Sequence, residues 1–242
     1  MTIQHSTDVA SLLDVNTGET GIEIQNITFD IATTDQTAIS VSDDVGISVT
    51  ESTFTNIEGS NAADVVIVQD GAESVTFENN VFEGGGTSAE AILTGTTGDD
   101  SLDLTVSSNT ISGFDEALEL SAADGVSAAS VSENTFENNN VHVDDTTGAT
   151  TLNDVFTNND FSVTYVTVED SSGNIIDGVY GDLATADTDT TLDSAAGQTT
   201  TIAGDHTASG ITLDSNDDLV VTAADSGATI TSDGAPVFDL ST

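Results

Sequence analysis

The 242-residue chain contains no lysine and no arginine against 43 aspartates and glutamates, a formal charge of −43. An ordinary domain of this length carries roughly 30 basic residues. Without cationic side chains, every long-range electrostatic term is repulsive unless dissolved cations intervene, so a phosphate backbone or an anionic bilayer is repelled at low salt. Nucleic acid and membrane are therefore not expected as partners, whereas cations are. Two settings suit such a chain: a medium rich in salt or divalent ions, and a secreted polymer that offers trypsin-like proteases no cleavage site.

Cysteine is also absent, which excludes disulfides and thiolate metal sites. No run of 18 apolar residues is present to span a bilayer. Met1 to Ala10 has neither a basic n-region nor an apolar h-region. The expectation is thus a segment of a larger exported polypeptide whose signal lies elsewhere. There is one proline and no tryptophan, and Gly, Thr, Ser, Asp and Asn fill most of what is not apolar. That mixture favours strands and turns over helices. Ile, Leu, Val and Phe make up about a quarter of the residues, enough to lift the chain above the roughly 20% typical of disordered charged sequences, but only for a lean core.

What is present is a repeat. An apolar residue, four others and then glycine recur at Leu13 to Gly18, Val41 to Gly46, Leu93 to Gly98, Leu120 to Gly125, Val143 to Gly148, Val168 to Gly173 and Leu192 to Gly197. Degenerate members begin at Val68 and Thr222. A second column, out of phase with the first, holds Phe29, Phe54, Phe82, Ile111, Phe136 and Phe161. Asparagine precedes four of these by two residues, at Asn80, Asn109, Asn134 and Asn159. Stacked at one corner, such asparagines can hydrogen-bond along the axis as a ladder. A period near 25 residues indicates a solenoid.

Within each repeat the apolar residues alternate, as in Ile22-Glu23-Ile24, Ile47-Ser48-Val49 and Leu102-Asp103-Leu104-Thr105-Val106. Period two marks strands with one buried face. The sequence therefore predicts an all-β, right-handed parallel β-helix of about nine coils, each of roughly 25 residues with three short strands. At roughly 4.8 Å per coil it would form a rod on the order of 40 Å long. Residues 1–200 are expected to form its body, and residues 201–242 irregular last coils or a C-terminal cap.

The Asn-x-Phe or Asn-x-Ile corner, the period and the three short strands resemble the parallel β-helix repeat of the pectate-lyase-like superfamily. The resemblance covers roughly residues 13 to 200 and implies the fold more than a function, because that superfamily includes lyases, hydrolases, epimerases, phage tailspikes and non-catalytic adhesins. The arginine base of the lyases cannot exist here. Of the polygalacturonase-like pattern, no glycine-flanked histidine and no basic residue to bind a uronate is present.

The turn opening at the first apolar column is acidic in every coil. The candidate cation ligands are Asp43, Asp44, Asp70, Asp99, Asp100, Asp124, Asp144, Asp145, Glu169 and Asp170, with Asp14, Asp193 and Asp225 in equivalent places. Carboxylates aligned about 4.8 Å apart in water repel by roughly 0.9 kcal/mol per pair. Summed over the rod, that approaches the whole stability of a domain. Structural Ca2+ suits such oxygen donors, and Gly95 to Leu102 resembles in part the calcium-binding turn of secreted repeat toxins. A solvated acidic face screened by monovalent salt is the other reading. Asp43-Asp44, Asp99-Asp100 and Asp144-Asp145 are the pairs to consider for acid and base work in glycoside cleavage. His5, His142 and His206 lie far apart and read as lone hydrogen-bonded side chains.

The functional expectation is a non-catalytic structural or adhesive solenoid of a larger secreted or cell-surface protein, stabilised by cations and open to self-association or to contact with neighbouring domains. A carbohydrate-active β-helix and a tailspike or autotransporter passenger are the alternatives.

Overall fold

The computed structural model describes residues 1–4, 11–15, 21–31, 37–42, 46–57, 64–68, 72, 74–85, 90–94, 102–120, 126–145, 150–161, 164–190, 199–207, 211–212, 220–231 and 238–239. For residues 4, 102, 126–128, 189–190, 207 and those from 211 onward only the backbone is described. The chain visits three sheets in turn and then returns to the first. The first sheet stacks Thr2–Gln4, Thr28–Asp30, Thr53–Ile57, Val81–Gly84, Thr110–Ser112 and Thr135–Glu137. In the second, Ser11–Val15, Thr37–Val41, Val66–Val68, Glu90–Thr94, Glu116–Leu120 and Val141–Asp145 pair in parallel. The third contains Ile22–Gln25, Gly46–Thr50, Ser74–Glu78, Leu102–Ser107 and Val126–Ser132. One strand per sheet per turn is the expected solenoid.

Alternation becomes burial as period two requires. In Gly46–Thr50, Ile47 and Val49 are buried while Ser48 and Thr50 face outward. The large residues of the second repeat column meet in register, Phe29 on Phe54, Phe54 on Phe82, Phe82 on Ile111 and Ile111 on Phe136. Each is fully buried. The rings of Phe29 and Phe54 stack at 4.8 Å, those of Phe54 and Phe82 at 4.4 Å, and those of Phe136 and Phe161 at 5.2 Å, all within 7° of parallel.

The asparagine ladder forms beside this column. Asn80 donates its backbone N–H and its Nδ2 to Asn109 Oδ1, Asn109 donates both to Asn134 Oδ1, and Asn134 donates both to Asn159 Oδ1, at 2.9–3.0 Å. Each Nδ2 also reaches a third-sheet carbonyl, Val49 for Asn80, Phe77 for Asn109, Val106 for Asn134 and Val131 for Asn159. Aspartate would lack that donor. The residues before Asn80, Asn109 and Asn134 turn the corner with a left-handed backbone, at Asn79, Ser108 and Glu133, and Asn26 and Glu51 do the same in earlier coils, φ lying between 50° and 60° in all five. Such a residue costs on the order of 1 kcal/mol, which the ladder bonds offset. At another corner, a Cβ on Gly113 (φ +78°) would lie 2.6 Å from the carbonyl oxygen of Gly84, so successive coils touch there backbone to backbone.

The parallel stack of these three sheets is shorter than the nine coils expected, because the pattern changes after Asp145. Leu152, Val155 and Phe156 recur at helical rather than strand spacing, and helix Leu152–Asn158 closes the end of the third sheet. Its last turn is tied down by Asn159 Nδ2, which donates to the carbonyl of Val155 at 2.7 Å. Tyr165–Glu169 and Ile175–Tyr180 then form an antiparallel hairpin on the second sheet, joined antiparallel by Thr199–Thr207. The spacing from Val168 to Gly173, read from sequence as a coil, is this hairpin's strand end and turn, with Gly173 at φ +82°. The member from Leu192 to Gly197 lies outside the described residues. Helix Leu183–Thr190, whose third residue Thr185 donates its N–H to Asp182, covers a second, smaller core of Val141, Val166, Val168, Tyr180, Leu183, Ala186 and Ile202.

Two substitutions test these packing claims. Asn109→Ala removes the acceptor of the Asn80 backbone N–H and of one Asn80 Nδ2 hydrogen, and the side-chain donor to the carbonyl of Phe77. It should cost about 3 kcal/mol in urea unfolding, and a change below about 0.5 kcal/mol would make the ladder incidental. Thr200 is fully buried, in register with Val168, and its hydroxyl has no hydrogen-bond partner among the described residues. Thr200→Val should therefore stabilise by about 1 kcal/mol, read as a higher urea midpoint.

Candidate cation site on the outer face of the second sheet

Parallel register sets acidic side chains of successive coils side by side. Glu90 pairs with Glu116, while Leu93 pairs with Glu119 and Glu119 with Asp144. Glu116 and Glu119 stand three residues apart on one strand, and Glu90 lies one coil away in register with Glu116. Carboxylate oxygens of Glu90, Glu116 and Glu119 all come within 4.8 Å of one another, and all three side chains are half-buried. Asp64, one coil before Glu90, shares a hydrogen bond with it.

Half-burial removes water that would screen these charges. At an effective dielectric constant of about 20, like charges 4.8 Å apart repel by roughly 3.5 kcal/mol. Protonation relieves this. Burial, then Glu90, pushes the Asp64 carboxyl up to about 8. Burial, then the charges of Glu119, Asp144, Glu90 and Asp115, pushes Glu116 to about 8 as well. Glu119 is raised by burial, Glu90 and Asp144. A hard divalent cation such as Ca2+, which takes six to eight oxygen ligands in flexible geometry, relieves the same repulsion. Glu90, Glu116 and Glu119 are the residues that fit it here.

Of the carboxylates expected from sequence, Asp144 joins this cluster through Glu119. Asp145, its neighbour, is buried and accepts from the N–H and hydroxyl of Thr150 at 2.9 and 2.8 Å. The two members of that pair therefore have different surroundings. Glu169 ends a hairpin strand, in register with Ile175 and Thr199. Asp170 closes the hairpin turn, accepting from the N–H groups of Ser172 and Asn174 and from Asn174 Nδ2. Those bonds, Asn174 foremost, hold its carboxyl below the ordinary range. Asp43, Asp44, Asp70, Asp99, Asp100 and Asp124, with most of the toxin-like turn, lie outside the described residues. Asp64, Glu90, Glu116 and Glu119 are the residues missed from sequence. Their signal is Glu-Ala-Ile at Glu90 and Glu-Ala-Leu at Glu116, one repeat apart and at strand starts rather than in the following turns.

Among the histidines, His142 is buried where its Nε2 lies 3.2 Å from the carbonyl of Thr164 and its Nδ1 3.3 Å from Asn139 Nδ2. Nε2–H donates to the Thr164 carbonyl, leaving Nδ1 to accept from Asn139 Nδ2. Burial pushes its pKa down to about 4. His206 is likewise buried, with Nε2 2.8 Å from the carbonyl of Ala203. Both are lone histidines bonded to backbone, and His5 lies outside the described residues.

Residues 13–180, more than half of the chain, match the family described as right handed beta helix region. The chain belongs to that family of right-handed β-helix proteins. No curated protein and no solved structure matches it. Among the described residues no helix is long and apolar enough to cross a membrane.

The cluster sets a pH dependence. Asp64 and Glu116 hold protons to about pH 8 when folded but release them near 3.8 and 4.5 when unfolded. The folded state thus binds more protons across that interval and loses stability as pH rises through it. His142 acts oppositely, since its unfolded form takes a proton near 6.5 and its folded form only near 4, so its contribution is complete above about 6.5. Between pH 6.5 and 8 in buffer free of divalent ions, urea unfolding should show stability falling, then levelling at higher pH. Glu116→Gln, a neutral mimic of the protonated form, should reduce the slope, and an unchanged slope would show that Glu116 does not carry the effect.

Proposed function

We propose that this chain is a non-catalytic, stiff solenoid segment of a larger secreted or cell-surface protein, such as an adhesin, filament or matrix component, with cations completing its acidic face. The observation that carries this reading is the half-buried group of Glu90, Glu116 and Glu119 in a chain with no lysine or arginine to neutralise it. Calcium is the proposed structural ion. The role is mechanical: each coil contacts only its neighbours, and the stack holds its two ends at a fixed separation while flanking regions or partner subunits supply recognition. A surface this acidic supports an extracellular, cation-rich setting, where divalent ions are abundant.

Thermal unfolding at pH 8 in chelator, in calcium and in sodium chloride of matched ionic strength tests it. Calcium at ten times its dissociation constant should add about 1.4 kcal/mol, or about 4 °C in melting temperature for a chain of this size. A Glu116→Gln/Glu119→Gln double variant should lose the calcium increment and keep the response to sodium chloride. Equal melting temperatures of the unsubstituted protein in all three solutions would sink the proposal.

A second reading is favoured by Glu116 alone. A carboxyl raised to about 8 by burial and then by the charges of Glu119 and Asp144 meets the protonation requirement for a general acid in glycoside cleavage. This reading expects product release from a neutral polysaccharide that disappears in Glu116→Gln. Release that persists in the variant, or none at all from a panel of neutral glucans and mannans, removes it.

A further inference from the structure

We draw no further inference here: the strongest candidate, the partly exposed apolar end of the stack formed by Ile3, Leu12, Leu13, Ile22 and Ile24, has nothing in the structure to show what covers it.

Discussion

Register between successive coils is the constraint on which everything else in this molecule depends. A slip of one residue in a strand exchanges its buried and exposed faces. Here it would also separate the phenylalanine rings, unpair the asparagines and scatter the carboxylates of the second sheet. Hydrophobic alternation alone specifies the face but tolerates slips of two. The ladder removes that freedom, since Asn109 fits only where Asn80 and Asn134 lie directly before and after it. The stacked core is thus held in one alignment by a buried polar network in which every member is satisfied.

The second constraint is charge of one sign. Where most proteins place lysine or arginine beside an exposed carboxylate, this one places a neutral donor from an adjacent coil. Gln25 and Asn26 donate to Glu51, Asn56 to Asp30, Thr55 to Glu83, Ser108 to Glu133 and Asn140 to Asp115. Each bond contributes modestly, but none adds a positive charge, so the net repulsion stays. On the second sheet neutral donors give way to a carboxyl–carboxyl contact between Asp64 and Glu90. The demand for protons or cations is therefore concentrated where sheet geometry brings acids together and burial excludes solvent.

Much of the architecture was legible in the sequence because it is written twice, once in the apolar alternation and again in the spacing of Asn80, Asn109, Asn134 and Asn159 ahead of their large apolar partners. Strand direction was not. Val166-Thr167-Val168 alternates like any rung of the solenoid, and only the hairpin turn held by Asp170 shows that the chain has reversed. The helix at Leu152 was hidden by its length, two turns whose composition differs little from the turns around it. The acidic cluster escaped for a further reason. Turns collect aspartate in any β-rich chain, so the eye goes to them, whereas Glu90 and Glu116 stand at strand starts and become neighbours only once coils overlie.

The ladder has a modular consequence. Each asparagine presents the same acceptor to the coil before it and the same two donors to the coil after it, so the join between any two of these turns is chemically alike. A duplicated unit of about 25 residues, inserted between Asn109 and Asn134, would meet matching bonds on both sides and carry the closing helix along by one coil, still capping the same turn. Length in such a protein can therefore change by whole units without renegotiating the ends, as a chain of identical couplings admits another carriage.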